Sequence, residues 1–220
     1  FFSLPASVTN WAQGDTLTFS EDFFAQQARH NPIDPETGSG RIWNPDLKKC
    51  EECTFITPVW LSENITSSFG NRKNGSSVVA TRKNPSNALG VNNGNAEGTF
   101  VSLGYGGEMV YKFPVVVANG AGDDLKFYEV TNGRNTYPTE TATVQISQDG
   151  TNWFPVVGYT ITSEPGGDGI IFVEVSSSGL TQFQYVKIKD TTNAALNPDG
   201  LSDGYDLDAV QAMYGKACSS

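Results

Sequence analysis

Apolar and polar residues alternate one for one along several short stretches of this chain, and Gly, Asn, Asp, Pro and Ser break the stretches apart. Val144 and Ile146 stand between polar neighbours, as do Val186 and Ile188. A period of two places alternate side chains on one face of a strand, so these segments read as half-buried strands of an antiparallel sheet. The pattern predicts strands over 77–82, 99–103, 108–113, 124–131, 141–147, 153–157, 170–175, 183–189 and 205–213. Ser147-Gln-Asp-Gly150 followed by Thr-Asn-Trp153 reads as a hairpin turning at Asp-Gly. Long helical periodicity is missing between the strands, which argues against a parallel α/β sheet. No internal repeat of fixed period is visible. The expected fold is all-β: an antiparallel β-sandwich of jelly-roll type over residues 57–216, preceded by an irregular N-terminal extension, 1–56, packed on it. In that extension the run from Phe19 to His30 predicts one helical segment capped by Ser20, with Phe19 and Phe24 forming a staple across the cap.

The chain has 220 residues, ample for a packed core. Its formal net charge of -10 argues against nucleic acid or an anionic membrane as partner. No run approaches the roughly 18 apolar residues that suggest a bilayer span. Abundant Gly, Asn, Ser and Thr suit an extracellular β protein rich in turns. Asn64-Ile-Thr66 and Asn74-Gly-Ser76 match the N-glycosylation acceptor pattern.

Charge becomes informative in the stretch Asp190–Asp208. It carries Asp190, Asp199, Asp203, Asp206 and Asp208, neutral oxygens from Asn193, Asn197 and Ser202, bend-permitting Gly200 and Gly204, and no Lys or Arg. Carboxylates crowded in this way repel unless a positive charge sits among them. Ca²⁺ takes six to eight oxygens of these kinds. The competing reading is a solvated acidic loop. Strand periodicity favours the ion: it aligns Asp206 and Asp208 with Val210, Asp190 with Val186 and Ile188, and Glu129 with Leu125 and Phe127. Carboxylates that continue apolar stripes are costly unless paired or metal-bound. Glu129, Asp190, Asp206 and Asp208 are therefore the expected calcium ligands, with Asp124, at the opening of its strand, as a fifth; a lysine or arginine partner is the alternative for Glu129.

Three cysteines, Cys50, Cys53 and Cys218, cannot all pair within one chain. Cys50-Glu-Glu-Cys53 lacks a second C-x-x-C, and Glu51 and Glu52 disfavour a reactive thiolate. A structural disulfide is expected, either between Cys50 and Cys53 or from one of them to Cys218. The lone histidine, His30, sits in an Asn/Pro-rich segment, so neither a Ser-His-Asp triad nor an H-E-x-x-H zinc site can be drawn. A carboxylate-pair glycosidase remains formally possible. Trp43, Trp60, Tyr105, Tyr137 and Tyr159 are available to stack on sugar faces. Asn132, Arg134, Asn135 and Tyr137 form the most ligand-like loop, and Trp153 reads as a packing residue of its hairpin.

Six motifs stand in a familiar order: Asn84-Pro-Ser-Asn-Ala-Leu-Gly90, Phe100-Val-Ser-Leu-Gly-Tyr-Gly-Gly107, Asn119-Gly-Ala-Gly-Asp-Asp-Leu-Lys-Phe-Tyr-Glu129, Val144-Gln-Ile-Ser-Gln-Asp-Gly-Thr-Asn-Trp153, Tyr185-Val-Lys-Ile-Lys-Asp190 and Asp203-Gly-Tyr-Asp-Leu-Asp-Ala-Val210. Together, over residues 57–214, they resemble a domain of bacterial cell-surface and secreted proteins. The hairpin and the later Tyr-Val-Lys-Ile strand are similar to those of discoidin-type, galactose-binding-like sandwiches. The resemblance implies a jelly-roll, a secreted or cell-surface location and a structural Ca²⁺. The expectation is a calcium-binding module for adhesion or carbohydrate binding, with an extracellular glycan or surface protein as partner. A structural or protein-interaction module of a larger surface protein is the alternative, and a glycan-cleaving enzyme the third.

Overall fold

In a computed structural model, residues 39–44, 49–131, 139–162 and 169–218 are described. Along them run β1 (Ser39–Asn44), β2 (Lys49–Ile56), β3 (Val59–Trp60), β4 (Glu63–Ser68), β5 (Val101–Ser102), β6 (Glu108–Ala118), β7 (Leu125–Glu129), β8 (Thr141–Ser147), β9 (Phe154–Thr162), β10 (Ile170–Val173), β11 (Gln182–Asp190), β12 (Asp206–Ala212) and β13 (Gly215–Cys218). The chain divides into two compact units, Phe1–Thr54 with Cys218–Ser220, and Phe55–Ala217.

In the first unit, β1 pairs with β2 antiparallel, from Ser39 opposite Thr54 to Asn44 opposite Lys49. β-branched and aromatic residues in both stretches support this strand pair. Cys50 and Cys53 both lie in β2. The expected helix at 19–30 lies outside the described residues.

The second unit is an antiparallel β-sandwich. Its larger sheet runs β13-β6-β11-β8-β9, with β4 sharing the β13 edge of β6. The smaller sheet runs β10-β7-β12-β3, with β5 sharing the β3 edge of β12. Alternation decides which side chains meet. Met109, Tyr111 and Phe113 of β6, Val144 and Ile146 of β8, and Val186 and Ile188 of β11 face Leu125 and Phe127 of β7 and Leu207 and Val210 of β12. Phe113 and Phe183 meet edge to face, their ring centroids 6.3 Å apart.

The strand over 141–147 appears as expected, and β6 runs five residues past its expected end, through Pro114. A proline is tolerated there because the ladder is interrupted on both sides. β4 pairs up to Lys112 and β13 from Val116 on one edge. On the other edge the β11 register shifts between Phe183 and Tyr185, and the Gln184 side chain donates to Phe113 O. The strand expected over 77–82 is instead an isolated bridge at Ser77, paired with Asn71, and a 3₁₀ turn at Ala80–Arg82, and the one over 99–103 shortens to Val101–Ser102. No helix among the described residues is long and apolar enough to cross a membrane.

Candidate functional site

The five expected calcium ligands are all buried. They do not form one cluster, and among the described residues no group of three or more His, Cys, Asp or Glu is placed to hold a metal ion. Asp124 precedes β7 and Glu129 ends it, so the strand itself separates them by roughly 17 Å. The Asp124 carboxylate accepts from Gly120 N at 2.6 Å and Val175 N at 3.1 Å. Burial pushes its pKa up to about 6, against those two amides. Asp190 accepts from Gly106 N at 2.8 Å, Tyr205 N at 3.0 Å and the Thr192 hydroxyl at 2.6 Å. Burial raises its pKa and these donors oppose the rise. Asp208 accepts from Asn93 N at 2.9 Å and Gly94 N at 3.1 Å. These three acids hold loops onto strand ends through backbone amides.

A bulge explains why Asp206 and Asp208 part company. Between Leu207 and Ala209, β12 carries one residue more than β7. Leu207 and Val210 consequently both face the core although they are three apart, and Val210 leaves the stripe expected to carry both aspartates. Asp208 reaches the Asn93–Gly94 loop, whereas Asp206 accepts from the Ser102 hydroxyl on β5.

Glu129 differs from the others. It sits at the inward end of the Leu125–Phe127 stripe, opposite Leu207. Both carboxyl oxygens are buried without a hydrogen-bond partner. Desolvation, and then the charge of Asp206, push its pKa up to about 9. The Tyr205 hydroxyl is also buried without a hydrogen-bond partner, and its pKa is pushed well above the usual value by burial and then by Glu129, Glu140 and Asp206. Glu140, fully buried at this end, was missed in the sequence because it stands alone in a Pro/Thr-rich stretch. Asp203 lies between two guanidinium groups, Arg82 Nη1 at 3.5 Å and Arg72 Nη2 at 3.7 Å. Burial pushes its pKa up, and Arg82 and then Arg72 pull it down.

The outward face of the smaller sheet has a different chemistry. Alternation that buries Leu125, Phe127 and Glu129 turns Lys126 and Tyr128 outward. The register then builds one row across four strands: Phe172 on β10 opposite Lys126 on β7, Lys126 opposite Gln211 on β12, and Gln211 opposite Trp60 on β3. At a strand spacing of about 4.8 Å the row is roughly 14 Å long. Tyr128 lies beside it. Its ring is 5.6 Å from that of Trp60, and its hydroxyl donates to Gln211 Oε1 at 3.0 Å. The Lys126 ammonium lies 4.8 Å from the Tyr128 ring centroid and 5.3 Å from that of Phe172. Phe172 is 48% exposed. Of this face, only Trp60 stood among the expected sugar-stacking residues. The alternation of 125–129 carried the signal for Lys126 and Tyr128. Phe172 was concealed in an apolar run, Ile170-Ile-Phe-Val173.

Asn132, Arg134, Asn135 and Tyr137 lie outside the described residues, as do the side chains of Trp43, Tyr159, Cys50, Cys53 and Cys218. The Tyr105 hydroxyl is bonded to the Ser202 hydroxyl at 2.7 Å. Trp153 lies under the Lys187 ammonium, 4.4 Å from its ring centroid.

No family model and no curated protein matches the chain. Among solved structures, a CBM32 module of AlyQ in complex with 4,5-unsaturated mannuronic acid is 10% identical with a TM-score of 0.41, covering 70% of this chain and 97% of that one. The C-terminal domain of a chitobiase from Bacteroides fragilis is 14% identical with a TM-score of 0.41, covering 72% and 95%. A module produced by Clostridium perfringens, CpGH89CBM32-6, is 11% identical with a TM-score of 0.30, covering 53% and 75%. These likenesses transfer no ligand and no binding residue to this chain.

Proposed function

We propose that this protein is a secreted or cell-surface carbohydrate-binding module that holds a glycan on the outward face of its smaller sheet. The carrying observation is the row Trp60, Gln211, Lys126 and Phe172, in register, with Tyr128 alongside. A sugar ring presents an apolar C–H face and a rim of hydroxyls. Three aromatic side chains suit the first, and an amide and an ammonium suit the second. Protein-docking cores are depleted of lysine, so a lysine at the middle of the row favours a sugar over a protein. Binding rather than bond cleavage is the expected outcome, with adhesion as its use.

A glycan array, screened with and without Ca²⁺, tests this reading. Reproducible binding is expected, weakened at least about tenfold in Trp60→Ala and in Phe172→Ala, with the Phe172 variant retaining its melting temperature. A folded protein that binds nothing on the array would place the chain instead as a structural or protein-interaction module of a larger surface protein. Product release from a bound glycan would point to cleavage.

Calcium is the second part of the proposal, now narrowed to Glu129 and Asp206. What supports it is the donor chemistry: two neighbouring buried carboxyl groups, one with both oxygens unpartnered, and a buried phenol. Oxygen donors of this kind suit a hard cation, whose remaining ligands would be backbone carbonyls or water. Millimolar-scale Ca²⁺ is expected to raise the melting temperature relative to EDTA, since a ligand of the native state alone stabilises by mass action. Glu129→Gln is expected to abolish that difference. Coincident melting curves for the unmodified protein would end the calcium proposal.

A further inference from the structure

We infer that the glycan taken by the smaller sheet carries negative charge, as uronate carboxylate or sulfate ester, and that Lys126 is the residue that selects it. This rests on the carbohydrate-binding reading and adds a substrate class to it. The chain has 24 acidic and 14 basic residues, so an average surface lysine has carboxylates to pair with. Lys126 pairs with none among the described residues. Its ammonium is held between the Tyr128 and Phe172 rings instead, at 4.8 and 5.3 Å from their centroids. The flanking acids have other partners. Glu174, which follows β10, accepts from Ser176 N at 2.9 Å. Asp124, which precedes β7, is fully buried and accepts from Gly120 N and Val175 N. Asp206 and Asp208 of β12 are bonded to Ser102 and to the Asn93–Gly94 loop. In β3, β7, β10 and β12, Lys126 is the only basic residue, and the acids of these strands are all buried.

Two consequences follow from that placement. Aromatic rings on two sides restrict the ammonium to the middle of the row, where a bound sugar would lie, so little side-chain freedom is lost when it meets an anion. A chain of net charge -10 repels anionic ligands over most of its surface. An anionic group is therefore accommodated only where a fixed positive charge offsets that repulsion, and this face supplies one. Carboxylate and sulfate share the chemistry that Lys126 reads, a compact anion accepting from an ammonium.

The test uses two pairs of polymers that differ in charge and share a backbone: polygalacturonate against its fully methyl-esterified form, and dextran sulfate against dextran. Affinity for the charged member of at least one pair is expected to exceed that for the neutral member by about tenfold, the loss of one charge-assisted hydrogen bond. The pair that discriminates identifies carboxylate or sulfate as the group read. The ratio should fall as salt is added, collapse toward one in Lys126→Met and survive in Lys126→Arg. Equal affinity for both members of each pair overturns the inference, as does a preference that persists in Lys126→Met. Binding to neutral array glycans alone overturns it while leaving the carbohydrate-binding reading standing. Silence toward every glycan removes both.

Discussion

At the scale of single residues, three of the seven acids buried among the described residues, Asp124, Asp190 and Asp208, act as acceptors for backbone amides. Asp208 carries two, from Asn93 and Gly94, which have no strand partner of their own. Asp208→Ala leaves both donors without their acceptor, at a cost of about 2–3 kcal/mol. The Asp199 carboxylate, exposed in its turn, accepts from Leu201 N, and Asp199→Ala should cost no more than about 1 kcal/mol, as for loss of a cap. Urea denaturation of the two variants measures the difference; equal losses would refute the amide-anchor account. Asp149 shows the same chemistry in water. Amides of Asn152 and Thr151, with the Asn152 side chain, hold its pKa well below the ordinary carboxylate range. A carboxylate stabilised in its charged form supports the turn at every pH above its unfolded pKa and loses that support only as pH falls through the depressed folded value. Carboxyl NMR should therefore find Asp149 ionised at pH 4, with the Thr151 and Asn152 amide signals unmoved from pH 7. Midpoints near the usual aspartate value would contradict this.

At the scale of elements, the glycine-rich connection before β6 separates two roles that one sequence motif combines. A Cβ on Gly107 would lie 1.9 Å from Leu103 O, and one on Gly104, at φ +74°, would lie 2.4 Å from the Gly70 carbonyl carbon. Gly106 shares a φ of +74° but has open space about its Cα. Gly106→Ala should then cost only about 1–2 kcal/mol of backbone strain. Gly107→Ala forces two backbone segments apart and is expected to yield little folded protein. Soluble yield and thermal melts compare them, and similar behaviour would mean the close approach is not required. The β12 bulge works at the same scale, since one extra residue sends two neighbouring aspartates to different loops.

At the scale of the molecule, every residue proposed to touch glycan or cation lies within Phe55–Ala217. That unit contains the whole of the described sandwich core. Residues 55–217 produced alone should melt cooperatively and keep the glycan affinity of the full chain within about twofold. A fragment that fails to fold, or folds without binding, would assign a necessary part to the remaining segments. The negative charge is also unevenly used: Asp124, Glu129, Glu140, Asp190, Asp203, Asp206 and Asp208 are buried, and they include every acid of β3, β7, β10 and β12.

The order of apolar and polar residues was enough to determine an antiparallel sandwich, the strand over 141–147 and the inward-facing acids Glu129 and Asp190 at the ends of their apolar stripes. Each of these follows from local periodicity, which a sequence displays directly. It was not enough to decide what those acids bind. Asp190 meets Gly106 N and Tyr205 N because three loops converge there. Asp206 and Asp208 diverge because of a register shift that depends on the facing strand. The Trp60–Gln211–Lys126–Phe172 row likewise joins residues from four separate parts of the chain. Strand order and register are set by long-range pairing, so the chemistry of that face exists only in the folded sheet.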